Sequence, residues 1–164
     1  MRLLWIFFAG LLIAGCSGED WQAKTMKTTG YVTVNNQIPA GAIIRLHPVN
    51  KNVDKRASRP SGIVADDGRY TLTTYEYGDG APPGDYVFTI YWPQKPELGG
   101  LSPDRLGNVY ATPKTSKKTV TITEQGTPIQ PINIEDAKII EPGEQQKGGK
   151  GTNRLPIGPG MKKR

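Results

Sequence analysis

The run "DYVFTIYW" (85–92) places Tyr86, Phe88, Ile90 and Trp92 on one side of the chain and Val87, Thr89 and Tyr91 on the other. A two-residue period of this kind gives two distinct faces only to an extended backbone. The same habit recurs along the chain. "TGYVTV" (29–34), "AIIRLHPV" (42–49), "SGIVA" (61–65), "RYTLTTY" (69–75), "KTVTIT" (118–123) and "IQPINI" (129–134) are short runs rich in Val, Ile, Thr and Tyr. Gly, Pro, Asn and Asp separate them, as they separate strands. In "AIIRLHPV", Ile44 and Leu46 face one way and Arg45 and His47 the other; in "RYTLTTY", Tyr70 and Leu72 oppose Thr71 and Thr73. No segment sustains a helical period, and no longer repeat is visible. Seven strands with one apolar face each are satisfied by two sheets packed face to face. The sequence therefore predicts an all-β domain, a seven-stranded Greek-key sandwich, over residues 28–135. That length buries one core without covalent staples.

The connections carry their own signals. Asn35-Asn36 tolerates positive φ, and Asp66-Asp67-Gly68 is a tight-hairpin sequence. Two connections are long. One covers residues 50–60 and the other, at 25 residues, covers 93–117. Loops of the second length are commonly functional or disordered.

Two regions outside the alternating core speak about location. Leu3 to Ile13 is an apolar run of eleven residues behind Arg2. A membrane-spanning helix needs roughly 20, so the run suits the h-region of an export signal. "IAGCS" (13–17) follows, and its Cys16 is the only cysteine, which excludes an intramolecular disulfide. The pentapeptide resembles the lipobox of bacterial lipoproteins. That resemblance implies a signal peptide over 1–15, cleavage before Cys16, diacylglycerol on its thiol, and an acylated tether over 16–27. Acyl chains contribute about 0.8 kcal/mol per buried methylene, so more than one chain anchors stably. The expected localisation is the bacterial envelope, on a membrane facing the periplasm or the cell surface.

The chain counts 21 Lys+Arg against 15 Asp+Glu, net +6. The excess is local. Lys147, Lys150, Arg154, Lys162, Lys163 and Arg164 lie beyond Pro142 with Glu144 as the single acid, and residues 17–141 balance to zero. A nucleic-acid module would carry its basic patch on the fold, so no nucleic-acid partner is expected. Residues 136–164 read as a disordered basic tail of Gly, Pro and Lys.

A second resemblance lies in the core. "DDGRYTLTT" followed by "APPGDYVFTIYW" is similar to carboxypeptidase regulatory-like domains, with Gly68, Tyr70, Leu72, Pro83, Gly84 and Tyr86 at the matching positions. "GYVTVNNQIPAGAIIRLHP" fits the preceding strands. The resemblance covers about residues 28–134 and implies a transthyretin-like (prealbumin-like) or Ig-like sandwich. The family includes accessory domains of metallocarboxypeptidases and stalk or adhesion modules, which implies a binding or structural role and no catalysis.

Candidate chemistry is sparse. His47 is the only histidine, on an expected outward face. It cannot by itself supply the ligand set of a zinc peptidase. Related hydroxyisourate hydrolases use several His and a Y-R-G-S terminus, which this chain lacks. Asp79 and Asp85, with Asp66, Asp67 and Glu76, are the acids a calcium site would use, but no D-x-D-x-D-G spacing joins them. Asp-Gly and Pro-Pro-Gly in "YGDGAPPGD" (77–85) account for them as turn residues. No metal, cofactor or catalytic residue is expected, and the chain reads as a monomer. Tyr75, Tyr77, Trp92 and Tyr110 are candidate ligand-binding aromatics at the sandwich rims, suited to stacking on an envelope glycan. The competing reading packs Trp92 in the core with tyrosines sealing its edges. The expected function is a non-catalytic, lipid-anchored envelope module with a glycan or protein partner; the alternative is a carbohydrate-binding accessory lipoprotein.

Overall fold

The computed structural model describes residues 20–126 and 128–143. The expected signal segment 1–15, Cys16 and the tail from 144 lie outside them.

The fold is all-β, with seven strands in two sheets. The strands are β1 (Thr29–Val34), β2 (Ile43–Pro48), β3 (Ser61–Ile63), β4 (Arg69–Thr71), β5 (Gly84–Tyr91), β6 (Thr119–Ile122) and β7 (Ile132–Ile134). A three-stranded sheet has the order β4-β1-β7 and a four-stranded sheet the order β3-β2-β5-β6. Every predicted strand is present, most of them shorter than the pattern suggests. β4 loses the most, four residues of the expected 69–75; β7 starts three residues late because Pro131 has no N–H to give a ladder, and Ile129 N–H alone reaches across, to Thr29 O at 2.9 Å. All pairs are antiparallel except β1 with β7, which runs parallel. Among the described residues the one short helical stretch is a 3-10 segment, Pro96–Leu101, inside the long connection.

The alternating apolar faces form the core. Val32, Val34, Ile44, Leu46, Leu72, Tyr86, Phe88 and Ile90 are fully buried between the sheets. Each such side chain contributes roughly 1.5–3 kcal/mol relative to exposure. Tyr70 lies across Gly30 of the neighbouring strand, so close that a β-carbon on Gly30 would sit 2.2 Å from its ring. The glycine leaves the space that the ring fills. The second face of β5 is not wholly outward. Thr89 is buried there, and its hydroxyl donates to Arg45 O at 2.9 Å.

The Asp66-Asp67-Gly68 turn forms, with Gly68 at φ +84° and Arg69 N–H on the Asp67 carboxylate at 2.9 Å. Its two arms, however, serve different sheets. β3 pairs with β2 and β4 pairs with β1. Only the ends of the hairpin stay bridged, at Ala65–Arg69 and at Ser61–Thr73. Between them Gly62 passes close under Thr71 O, where a β-carbon would stand 2.6 Å away. The hairpin is thus the corner that joins the sheets along one side.

The boundaries of the domain extend beyond the expected ones. Met26 and Ala81 exchange backbone hydrogen bonds at 2.9 and 3.0 Å, so the expected tether is fastened to the fold before Lys27. At the other terminus Ala137 is buried, Ile139 packs on the core and Ile140 N–H reaches Arg105 O at 2.8 Å. Residues 136–143, expected in the basic tail, therefore belong to the sandwich. They carry the last apolar side chains before the Gly and Lys stretch, and burying them is favourable.

Candidate functional site

The polar and aromatic side chains gather at the two ends of the sandwich. The end where β5 begins is called proximal, because the N-terminal segment is fastened there. The end where β5 finishes is called distal.

At the proximal end Tyr75 is the hub. Its hydroxyl donates to Asp54 Oδ2 at 2.8 Å and accepts Ala23 N–H at 3.0 Å. Trp21 meets its ring edge-on at 5.3 Å, and the Arg56 guanidinium lies 3.9 Å above the Trp21 ring. Asp54 also accepts Arg56 N–H at 2.8 Å and Ser58 N–H at 3.0 Å. Burial, the largest single influence, pushes the Asp54 carboxyl up; hydrogen bonds from Ser58, Tyr75 and Arg56 outweigh it and hold it below its ordinary range. The phenol of Tyr75 is pushed up to about 12, first by burial and then by the Asp54 bond and the charges of Asp54 and Asp79. Asp79 accepts Thr74 N–H at 2.7 Å and Tyr75 N–H at 3.0 Å. It is a turn residue, as the Asp-Gly signal implies. Gly80 behind it adopts φ +94°, with room for no side chain: a β-carbon would stand 1.8 Å from Met26 O. Asp85 is exposed and accepts the Thr121 hydroxyl at 2.6 Å.

At the distal end the long connection is ordered, and one carboxylate organises it. Asp104 is buried, and it accepts Trp92 N–H at 2.8 Å, Leu106 N–H at 3.1 Å and Asn108 N–H at 2.8 Å. Burial raises its pKa from the ordinary value, while those three amides oppose the rise. The Arg105 guanidinium lies 4.0 Å from the centre of the Trp92 ring and pairs with Glu141 at 3.0 Å. Gly143 N–H bonds Gln94 Oε1 at 3.2 Å. The loop, the end of β5 and residues 137–143 form one packed unit.

The four aromatic candidates therefore separate. Trp92, offered as a rim residue, is 5% exposed with Arg105 over its ring. It is not a stacking surface but a core side chain, as the competing reading has it, because the folded-back 93–117 connection covers it. Tyr75 is half-buried and spends its hydroxyl on Asp54 and Ala23. Tyr110 packs against the core. Tyr77 alone is open, at 98% exposure. The structure does not bring the four together.

His47 faces outward on β2 and lies 3.2 Å from the Thr89 hydroxyl. Burial first, then Arg59 and Arg45, lowers its pKa below 6.5. Among the described residues no group of three or more His, Cys, Asp or Glu could hold a metal ion, and no helix is long and apolar enough to cross a membrane. Pattern reading misses Trp21, Asp54, Arg56, Asp104 and Arg105. "DKRAS" (54–58) and "DRLGN" (104–108) both begin with Asp and run into a turn, the setting in which a carboxylate captures amides two and four residues ahead. That signal does not say which Asp is buried. No protein-family model matches the chain, and neither a curated protein nor a solved structure does.

Proposed function

We propose that the protein is a non-catalytic, lipid-anchored β-sandwich of a bacterial envelope, acylated at Cys16 and displayed from the membrane as a binding or structural module. The observation that carries this reading is "IAGCS" directly behind an eleven-residue apolar run, around the only cysteine of the chain. Export places that cysteine outside the reducing cytosol, where an unpaired thiol has no structural use. Among the described residues packing is seen from Trp21, five positions after Cys16 in the chain. The resemblance of "DDGRYTLTT" and "APPGDYVFTIYW" to carboxypeptidase regulatory-like domains supports an accessory role. In the test, cells make the wild-type chain and the Cys16→Ser variant with labelled palmitate. The wild type is expected to incorporate label and sediment with membranes, and the variant to do neither. Retention of the variant would overturn the anchoring.

A second reading, carbohydrate binding, rests on Tyr77. An exposed phenol ring stacks on a sugar face, whereas the buried Trp92 and the engaged Tyr75 do not. A glycan array with wild type and Tyr77→Ala tests it. Absence of binding to every glycan would remove the reading, and binding unchanged by Tyr77→Ala would take it off this residue.

A further inference from the structure

We infer that the proximal end of the sandwich rests on the lipid headgroup layer of the membrane, with the distal end pointing away as the only end a soluble partner can reach. This rests on acylation of Cys16. Ser17 to Asp20 are the residues left between the anchor and Trp21. From Trp21 onward the chain is held, by Trp21 on Tyr75, by Ala23 N–H on the Tyr75 hydroxyl and by the Met26–Ala81 pair. An extended chain gains at most about 3.3–3.6 Å per residue. The anchor therefore lies within roughly 18 Å of Trp21, where a spacer free to Lys27 would have allowed roughly twice that. Four residues are too few to swing a sandwich end over end, so the corner that holds Trp21 stays at the surface.

The chemistry of that corner suits headgroups. Lys24, Lys51, Lys55, Arg56 and Arg59 are exposed there, and Lys51 to Arg59 belong to the single 50–60 connection. The one acid of that connection, Asp54, turns inward, taking Tyr75 O–H and two backbone amides. Asp79 likewise faces Thr74 and Tyr75 N–H. The outward acids of this end, Asp20, Glu76, Asp85 and Glu124, come from other segments, and Asp85 is engaged by the Thr121 hydroxyl. The 50–60 connection is thus the cationic edge that faces outward. Tyr77, though next in the chain to this corner, turns its ring along the β3–β4 side with Ile63 and Arg69 and is not part of it. Lysine and arginine near an anionic surface each contribute about 1 kcal/mol, decaying within a Debye length. Such terms are weak singly, but the tether makes contact intramolecular, and effective concentration replaces affinity. The eight residues of β5 separate the two ends by roughly 26 Å. With the sandwich upright on its proximal end, the distal end stands about that far from the headgroups.

The experiment uses the full acylated chain in vesicles of phosphatidylethanolamine and phosphatidylglycerol containing a lipid with a headgroup nitroxide. Once Cys16 is a thioether, an introduced cysteine is the one reactive thiol. A fluorophore is placed at Lys55→Cys or Lys24→Cys for the proximal end, and at Val109→Cys for the distal end. Several-fold stronger quenching at both proximal positions is expected. A flexible Gly-Ser insert of about 20 residues between Asp20 and Trp21, long enough to let the domain tumble, is expected to remove the difference. Equal quenching at both ends with the native tether, or stronger quenching at Val109→Cys, would overturn the orientation. Cys16→Ser, assayed by co-sedimentation with the same vesicles, reads the anchoring separately: a variant that stays bound defeats the acylation reading whatever the quenching shows.

Discussion

The two ends of the sandwich use the same parts to different effect. Each sets an arginine over a tryptophan, Arg56 on Trp21 at 3.9 Å and Arg105 on Trp92 at 4.0 Å. Each has an aspartate that gathers backbone amides, Asp54 and Asp104. The difference is water. Asp104 is 1% exposed, whereas Asp54 is only half-buried. Hydrogen bonds in solvent exchange with water and contribute little, while those of a buried carboxylate must be complete. The proximal end is therefore a set of modest fasteners holding the N-terminal segment to the fold, and the distal end is a fixed surface built around one carboxylate. The packed 93–117 connection gives that end a defined shape.

The largest effect is expected where backbone meets backbone. Gly80→Ala drives a β-carbon into Met26 O and demands a positive φ of alanine. A loss of about 3 kcal/mol or more is expected in denaturant unfolding. A loss below about 1 kcal/mol would show that the proximal fastening yields freely.

Next comes the pair that states the contrast most directly. Asp104→Ala deprives the Trp92, Leu106 and Asn108 amides of their buried acceptor, with an expected cost of about 3 kcal/mol. Asp54→Ala should cost about 1 kcal/mol or less, since water replaces the lost acceptor. Equal costs would erase the distinction between the ends.

The two aspartates should also respond to pH with opposite sign. Asp54 has a lowered folded pKa, so its contribution is complete above the unfolded carboxylate value and is lost as pH falls through the folded one. Asp104 has a raised one, so the folded state binds the proton more readily than the unfolded chain. The stability of the wild type relative to Asp104→Asn should fall as pH rises from the ordinary carboxylate range through the raised folded value. For Asp54→Asn the corresponding difference should grow as pH rises through and just below that range. Thermal melts of both variants against wild type between acid and neutral pH would check this, and slopes of the same sign would refute it.

The smallest expected effects are the guanidinium stacks. Arg56→Gln, at an exposed site, should cost roughly 0.5–1 kcal/mol or less, and Arg105→Gln up to about 2 kcal/mol, because Arg105 is mostly covered and also pairs with Glu141. A double-mutant cycle with Trp21→Leu and with Trp92→Leu isolates each stack. A larger coupling at Trp21 would reverse the ranking of the ends.

Much of the fold is legible in the sequence. The alternation of Tyr86, Phe88, Ile90 and Trp92 names the buried face of β5, and "YGDGAPPGD" is a turn whose Asp79 serves the backbone. The site is less legible. Trp92 fits both the apolar face of β5 and a rim position, and what settles it is a connection that returns from a dozen positions away, through Asp104 and Arg105. Nothing local to Trp92 records that return.

The division has a physical cause. Strand period, turn chemistry, the isolated Cys16 and the location of charge depend on residues adjacent in the chain, so the sequence by itself determined them. Tertiary structure alone decided which sheet each arm of the Asp66–Gly68 hairpin joins, that β7 lies parallel to β1, that residues 21–26 and 137–140 pack on the fold, and which aspartate is buried. These are contacts between distant segments competing for one core, settled by how much apolar surface each arrangement removes from water.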